Sequence, residues 1–352
     1  MQKTAGCILS YLRSLLCRYL IDHFRFHGAL PYKLAYLKAR LQHKRKLTIL
    51  RYPQVPRSIY VLYKLAHFAG CRITGNPKTR HDLVVRFEDT TCAIIDSVLS
   101  RLAERTDILN ARCTDISKKR VDAISTEIFG RSLRIDPLTY SGECLMKSDN
   151  NSAKDGKVIK CPIAKALPGY VYQRVVNNQM GSLVQDIRVP IIGGEIPFVY
   201  LVYERIKNRF FGRSVYVEMA ETLDVLSLQE VQNLIRFCEG FGLDYGELDV
   251  LRDGESGFLY IVDANNTPTG PSRRLIKKER YDALSILAET FDKVFLSQAY
   301  SDVRSVSIEL NEKTSESVAG QISYEIGIID KGRQLSPSPR ASNALAQGAA
   351  PK

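Results

Sequence analysis

The chain has 352 residues, 45% of them apolar, with a mean hydropathy of -0.15 and a formal net charge of +12; this is length for two or three packed units and ample apolar content for their cores. Residues 1–51 hold eleven Lys or Arg and a single acid, Asp22, so the other 301 residues are close to neutral. A basic excess confined to one end argues against a nucleic-acid-binding body and points to an anionic partner near the N-terminus.

Leu9, Leu12, Leu16, Tyr19, Leu20 and Phe24 recur at helical spacing within residues 7–25, and a second basic segment, YKLAYLKARLQHKRK (32–46), follows Pro31. Residues 1–46 thus form a basic amphipathic extension that docks on its own domain, lies on an anionic membrane or touches nucleic acid. No RNA-binding or helix-turn-helix signature supports the last. Residues 47–110 read as a small α/β unit: a helix in SIYVLYKLAHFAG (58–70), a buried strand in HDLVVRFED (81–89) and a helix near 93–105. In DILNARCTDISKKRVDAISTEIFG (107–130), Val121, Ile124 and Ile128 share a helical face that Gly130 ends.

Strands dominate next. ECLMKS (143–148) and KVIKCP (157–162) bracket the polar loop DNNSAKDG, and GYVYQRVV, DIRVPIIGG, IPFVYLVYERI and SVYVEM follow. Ser227 and Glu230 have capping-box spacing at the start of the helix 227–242. YGELDVLRDGESGFLYIVDANN (245–266) reads as a hairpin turning at Asp253–Gly257, and a long helix is expected over about 277–297. Beyond residue 300, RSVSIEL and QISYEIGII have strand character, while 331–352 is low-complexity sequence of disordered type. The eight cysteines show neither a CxxC pair nor zinc spacing, as expected of buried free thiols in a reducing compartment. No apolar run reaches the ~18–20 residues needed to span a bilayer. The expected location is cytoplasmic, with residues 1–46 as a peripheral contact at the inner face of the membrane.

The densest chemical signal is LYIVDANNTPTGP (259–271), an apolar strand that ends in an acid and two amides. Asp263 and Asn265 are two apart and share a strand face. Asp249 lies across the hairpin at a similar distance from the turn. Two carboxylates and an amide oxygen are hard ligands of the kind Mg2+ takes, and a cation would relieve the repulsion between the acids. The plain alternative is an Asx-turn closing the hairpin.

The order of these pieces resembles the ATP-grasp superfamily over about residues 107–271. Asp249, Asp263 and Asn265 match the family's Mg2+ ligands, with Asp263 where Glu is commoner. Asn110 precedes a helix offering Lys118 or Lys119 as a nucleotide-binding lysine. Lys147 ends a strand before loop 148–156, Gln173 matches the hinge strand, and Asp186 and Arg188 match a D-x-R strand. Two departures stand out: the phosphate loop is poor in glycine, with Gly156 and otherwise polar residues, and no substrate residue of the N-terminal lobe can be matched.

The resemblance implies an α+β, ATP-grasp fold in which two lobes sandwich ATP: a small unit (47–110), a lid lobe (111–175), a metal-binding lobe (176–300) and a weakly structured tail (301–352). It implies ATP and one or two Mg2+ ions as cofactors, with Mn2+ as a substitute. Lys118, Lys119 and Lys147 would then neutralise phosphates, Gln173 would face the adenine, and Arg188 would stabilise the transferred phosphoryl group. Arg273 and Arg274 would grip an anionic small-molecule or lipid-linked substrate. The expected activity is that of a ligase joining a carboxylate to an amine or similar nucleophile through an acylphosphate. The alternatives are a kinase acting on a hydroxyl and a non-catalytic nucleotide-binding module recruited to a membrane.

Overall fold

Alternating apolar positions and well-marked helix ends lay out three sheets in the computed structural model. It describes residues 47–297, apart from Pro56, Ile95, Ser152, Lys154 and 210–213, together with Leu37 and Leu41. The helices expected in residues 7–46 and the strands and low-complexity tail expected after 300 lie outside the described residues, Leu37 and Leu41 excepted.

The first sheet is parallel, in the order β2 (Arg72–Thr74), β1 (Thr48–Pro53), β3 (Leu83–Phe87), β4 (Ile108–Leu109). Helix α1 (Val61–Phe68) crosses between β1 and β2, and α2 (Ser97–Ala103) between β3 and β4. Asp96 caps α2 by accepting from the backbone N–H groups of Val98 and Leu99. The start of α1 is tied to the chain that follows the last strand: Val61 N donates to Pro268 O at 2.8 Å. Nearby, Tyr60 and Thr267 both donate to the carboxylate of Asp89, at 2.6 and 3.4 Å.

Asn110 holds a left-handed backbone at φ 61° and is fully buried, a conformation that asparagine tolerates better than most residues. Its Oδ1 accepts from Asp244 N and Tyr245 N, and its Nδ2 donates to Tyr245 O, all within 2.9 Å. All three of these side-chain bonds go to backbone, so Asn110 pins the end of the first sheet to the strand that begins at Tyr245.

Helix α3 (Lys118–Phe129) is capped by Ser117 and stopped by Gly130 at φ 68°. The small lid sheet follows, antiparallel in the order β6 (Lys157–Cys161), β5 (Gly142–Ser148), β7 (Tyr170–Arg174). The large sheet has the order β11 (Ser214–Ala220), β10 (Val199–Arg205), β9 (Leu183–Ile192), β12 (Tyr245–Arg252), β13 (Leu259–Asn265), with the short β8 (Gln179–Met180) also on β9. Helix α4 (Leu228–Phe241) carries the expected capping box, with both Ser227–Glu230 bonds made. Helix α5 (Lys277–Phe291) passes into a π-helical turn over Asp292–Leu296, and the two together fill the helical span expected from the sequence.

The main core lies between one face of the large sheet and helices α3 and α4. Ile187, Val189 and Ile191 of β9, Leu248 and Val250 of β12, and Leu259, Ile261 and Ala264 of β13 meet Leu234, Phe237 and Phe241 there. Strand alternation therefore turns the charged residues between them to the opposite face.

Candidate active site

Strand β13 does not alternate cleanly. Asp249 pairs with Asp263 and Val250 with Ile261, so Val262 is an extra residue in the ladder. Unbroken alternation would put Ile261 and Asp263 on one face. The bulge separates them, keeping Ile261 in the core and sending Asp263 and Asn265 to the other side. It also frees the Val262 carbonyl, which accepts a hydrogen bond from Lys147 Nζ at 3.3 Å.

On this face Asp249 is flanked by Arg188 and Asp263, and Glu247 is opposite Asn265. Arg188 Nε lies 3.2 Å from Asp249 Oδ1, and its Nη1 lies 3.4 Å from Glu247 Oε1. Asp249 thereby holds the guanidinium more firmly protonated. Asp186, two residues before Arg188, accepts from Asn178 Nδ2 at 2.7 Å.

Burial pushes the Asp263 carboxyl up to about 6, against the pull of Lys118, with Asp249 adding to the rise. Burial likewise lifts Asp186 and Glu247 to about 7. The Oδ1 of Asp263 is buried and has no hydrogen-bond partner. Asn265 Oδ1 accepts from Thr267 N at 2.9 Å. Gly246 lets β12 approach this strand closely: a Cβ there would meet Asn265 O at 2.5 Å.

The lid supplies the opposite charge. Leu145 pairs with Gln173 and Lys147 with Val171, so Gln173 and Lys147 share the inner face of the small sheet. Gln173 is 3% exposed. Burial depresses Lys147 to about 8, with Asp263 the largest opposing influence.

The structure separates the two candidate lysines of α3. Lys118 is 7% exposed, acts on Asp263, and donates to Asn150 O at 2.8 Å. Lys119 is turned outward and pairs with Asp149 at 3.3 Å. The loop between β5 and β6 is held by polar side chains instead of glycine. Ser148 N donates to Asp155, and Asn151 N donates to Thr91 of the first unit.

Arg273 and Arg274 are exposed in the turn before α5 and form no ion pair among the described residues. Arg273 does act on Lys64 of α1, which burial, Arg273 and Arg280 together depress to about 8. Lys64 Nζ donates to Ile59 O and Gly270 O.

Sequence reasoning missed Glu247 and Lys64. The spacing Glu247-x-Asp249 on one strand carried a signal for the first, since residues two apart share a face. Nothing local marks Lys64. Among the described residues no group of three His, Cys, Asp or Glu is arranged to hold a metal; the set assembled here is two acids and an amide.

No protein-family model matches the chain, and no curated protein does. Among solved structures the chain is similar to the VanG D-Ala:D-Ser ligase from Enterococcus faecalis, at 9% identity with a TM-score of 0.50, covering 72% of this chain and 100% of that one. It is also similar to D-alanine–D-alanine ligase from Bacillus anthracis, at 11% identity with a TM-score of 0.46, covering 72% and 98%. A third similar structure is the ATP-grasp ligase PsnB complexed with minimal precursor, at 18% identity with a TM-score of 0.41; the chain covers 66% of PsnB with 55% of its own length. Identities this low speak to architecture and not to activity. On a likeness that spans the whole of VanG and 72% of this chain, and on the sheet order described above, the chain has the ATP-grasp fold.

Proposed function

We propose that the protein is an ATP- and Mg2+-dependent ligase that joins a carboxylate to an amine or similar nucleophile and releases ADP and phosphate. The observation that carries this reading is the buried, unpartnered Oδ1 of Asp263. It lies on a face shared with Asp249 and Asn265 and within the field of Lys118 and Lys147. A carboxylate that burial disfavours, beside a second acid, is stabilised by a hard cation. Asp249, Asp263 and Asn265 fit Mg2+, or Mn2+ in its place, which when bound would neutralise charge on the ATP phosphates.

The residues divide the remaining work. Lys118 and Lys147 exchange single backbone carbonyls, Asn150 O and Val262 O, for phosphate oxygens, a trade favoured by charge. Gln173 and Val171 line the inner lid face for the adenine. Arg188 is held in place by Asp249 and Glu247 and stabilises charge on the phosphoryl group as the acceptor carboxylate attacks it. The nucleophile then displaces phosphate from the acylphosphate. Lys64, Arg273 and Arg280 form no ion pair with an acid among the described residues, and Arg280 Nε is buried without a hydrogen-bond partner. That imbalance supports an anionic group on the second substrate, with Arg274 beside it.

Product analysis with ATP, Mg2+ and a metabolite pool tests the reading. ADP, free phosphate and a condensed product are expected. ADP with a phosphorylated product and no free phosphate would make the protein a kinase, and nucleotide binding without turnover would make it a non-catalytic module. ATP turnover that survives Asp263→Ala would overturn the metal assignment.

A further inference from the structure

The outer face of the lid sheet, away from Lys147 and Gln173, carries a pair of thiols. Cys144 of β5 and Cys161 at the end of β6 are diagonal neighbours, since Cys144 pairs with Ile159 and Cys161 with Gly142. They are 0% and 3% exposed, packed with Tyr172 and flanked by Tyr140, Met146 and Ile163. Their sulfurs are 3.0 Å apart, well inside ordinary contact between two sulfurs. Two side chains already directed at each other need little backbone movement to be bridged. β5 and β6 are also the strands that emit loop 148–156, whose Asn150 carbonyl holds Lys118.

We propose that Cys144 and Cys161 are an oxidisable dithiol whose disulfide staples the root of this loop. The oxidant is hydrogen peroxide. One sulfur attacks a peroxide oxygen and becomes a sulfenic acid, with one water released. The second sulfur then displaces a second water and the S–S bond forms, so that two thiol protons and two electrons pass to the peroxide. In the closed sheet, burial and the neighbouring Cys161 push the Cys144 thiol up to about 12. Attack as a thiolate is therefore slow at neutral pH and is gated by opening of the small sheet. The cross-link closes a ring from residue 144 to 161 around the loop and removes freedom from its open forms. The chemistry stands apart from the ATP reading; only its consequence for nucleotide access rests on that reading.

The test uses the full-length protein, oxidised with hydrogen peroxide under native conditions, then denatured, alkylated and digested. A reducible peptide joining Cys144 to Cys161 is expected, absent from Cys144→Ser and from Cys161→Ala. Hydrogen exchange across residues 142–161 should slow several-fold in the oxidised wild-type protein, which needs no folded variant to be read. Recovery of both cysteines as separate alkylated or sulfinic forms, while the exposed Cys92 is oxidised, would overturn the proposal. So would a cross-link with unchanged hydrogen exchange in this segment.

Discussion

The large sheet and the lid sheet carry opposite charges on facing surfaces, but they are built to different depths. The acids of β9, β12 and β13 stand on strands whose reverse faces are packed against α3 and α4. Among the described residues, the lid has Cys144, Cys161 and Tyr172 as the buried members of its own cluster. It is tied to the rest of the protein by single bonds of Lys147, Asn150 and Asn151 and by the contacts of Asp149 with Lys119. A deep core fixes side chains in advance, while a thin one opens at little cost. The difference teaches that the acids, with Lys118 on the packed α3, form a preorganised floor and that Lys147 belongs to a more adjustable cover.

Five measurements sharpen or break that comparison. Asp263→Ala should reduce ATP turnover on the order of 10³-fold, read as ADP release; a loss under about tenfold removes the floor from the chemistry. Asn110→Ala deletes three side-chain hydrogen bonds at a left-handed backbone position and should cost about 2–4 kcal/mol in urea unfolding. A cost near zero would mean that β12 is not anchored through this residue.

Lys147→Ala should weaken Mg2+–nucleotide binding by about 10–100-fold, as loss of a charged hydrogen bond of ~1.5–3 kcal/mol implies, with little change in melting temperature. An effect on stability equal to that of Asn110→Ala would contradict an adjustable cover.

A pH series probes the floor without mutation. Asp263, Asp186 and Glu247 have folded pKa values raised to about 6, 7 and 7. The native state therefore keeps protons that the unfolded chain loses above pH ~4. Metal-free stability should thus fall as pH rises from about 4 to 7, and the penalty should be complete above pH 7. Mg2+ should raise the melting temperature more at pH 8 than at pH 5, because protons compete for Asp263. An Mg2+ effect independent of pH would detach the ion from these acids. Smallest of all, Lys119→Ala should change stability by less than ~0.5 kcal/mol, since its ion pair is half-exposed, and should leave nucleotide affinity unchanged.

The readable parts of the site were those set by local periodicity. Asp186 and Arg188, and Asp263 and Asn265, are two apart on strands, so each pair shares a face wherever the strand lies. The capping box at Ser227 and the stop at Gly130 are likewise local signals. The choice between Lys118 and Lys119 was not readable, because both begin the same helix and only the packing of α3 against β13 buries one of them. The role of Asn110 was hidden for a similar reason: its partners, Asp244 and Tyr245, are more than a hundred residues away. For Glu247 the two-residue spacing to Asp249 was readable, but its pairing with Arg188 depends on β9 lying beside β12.

Chain order and spacing alone established a hairpin that ends in Asp263-x-Asn265, a polar loop between two strands after Lys147, and a basic segment set apart at the N-terminus. Packing decided the rest. The bulge at Val262 reverses which neighbours share a face with Asp263, and a bulge depends on the partner strand's register and not on the strand's own alternation. Only the folded structure brings Lys118 and Lys147 into the field of that acid, because charges distant in sequence act strongly on one another only once burial has removed the water between them.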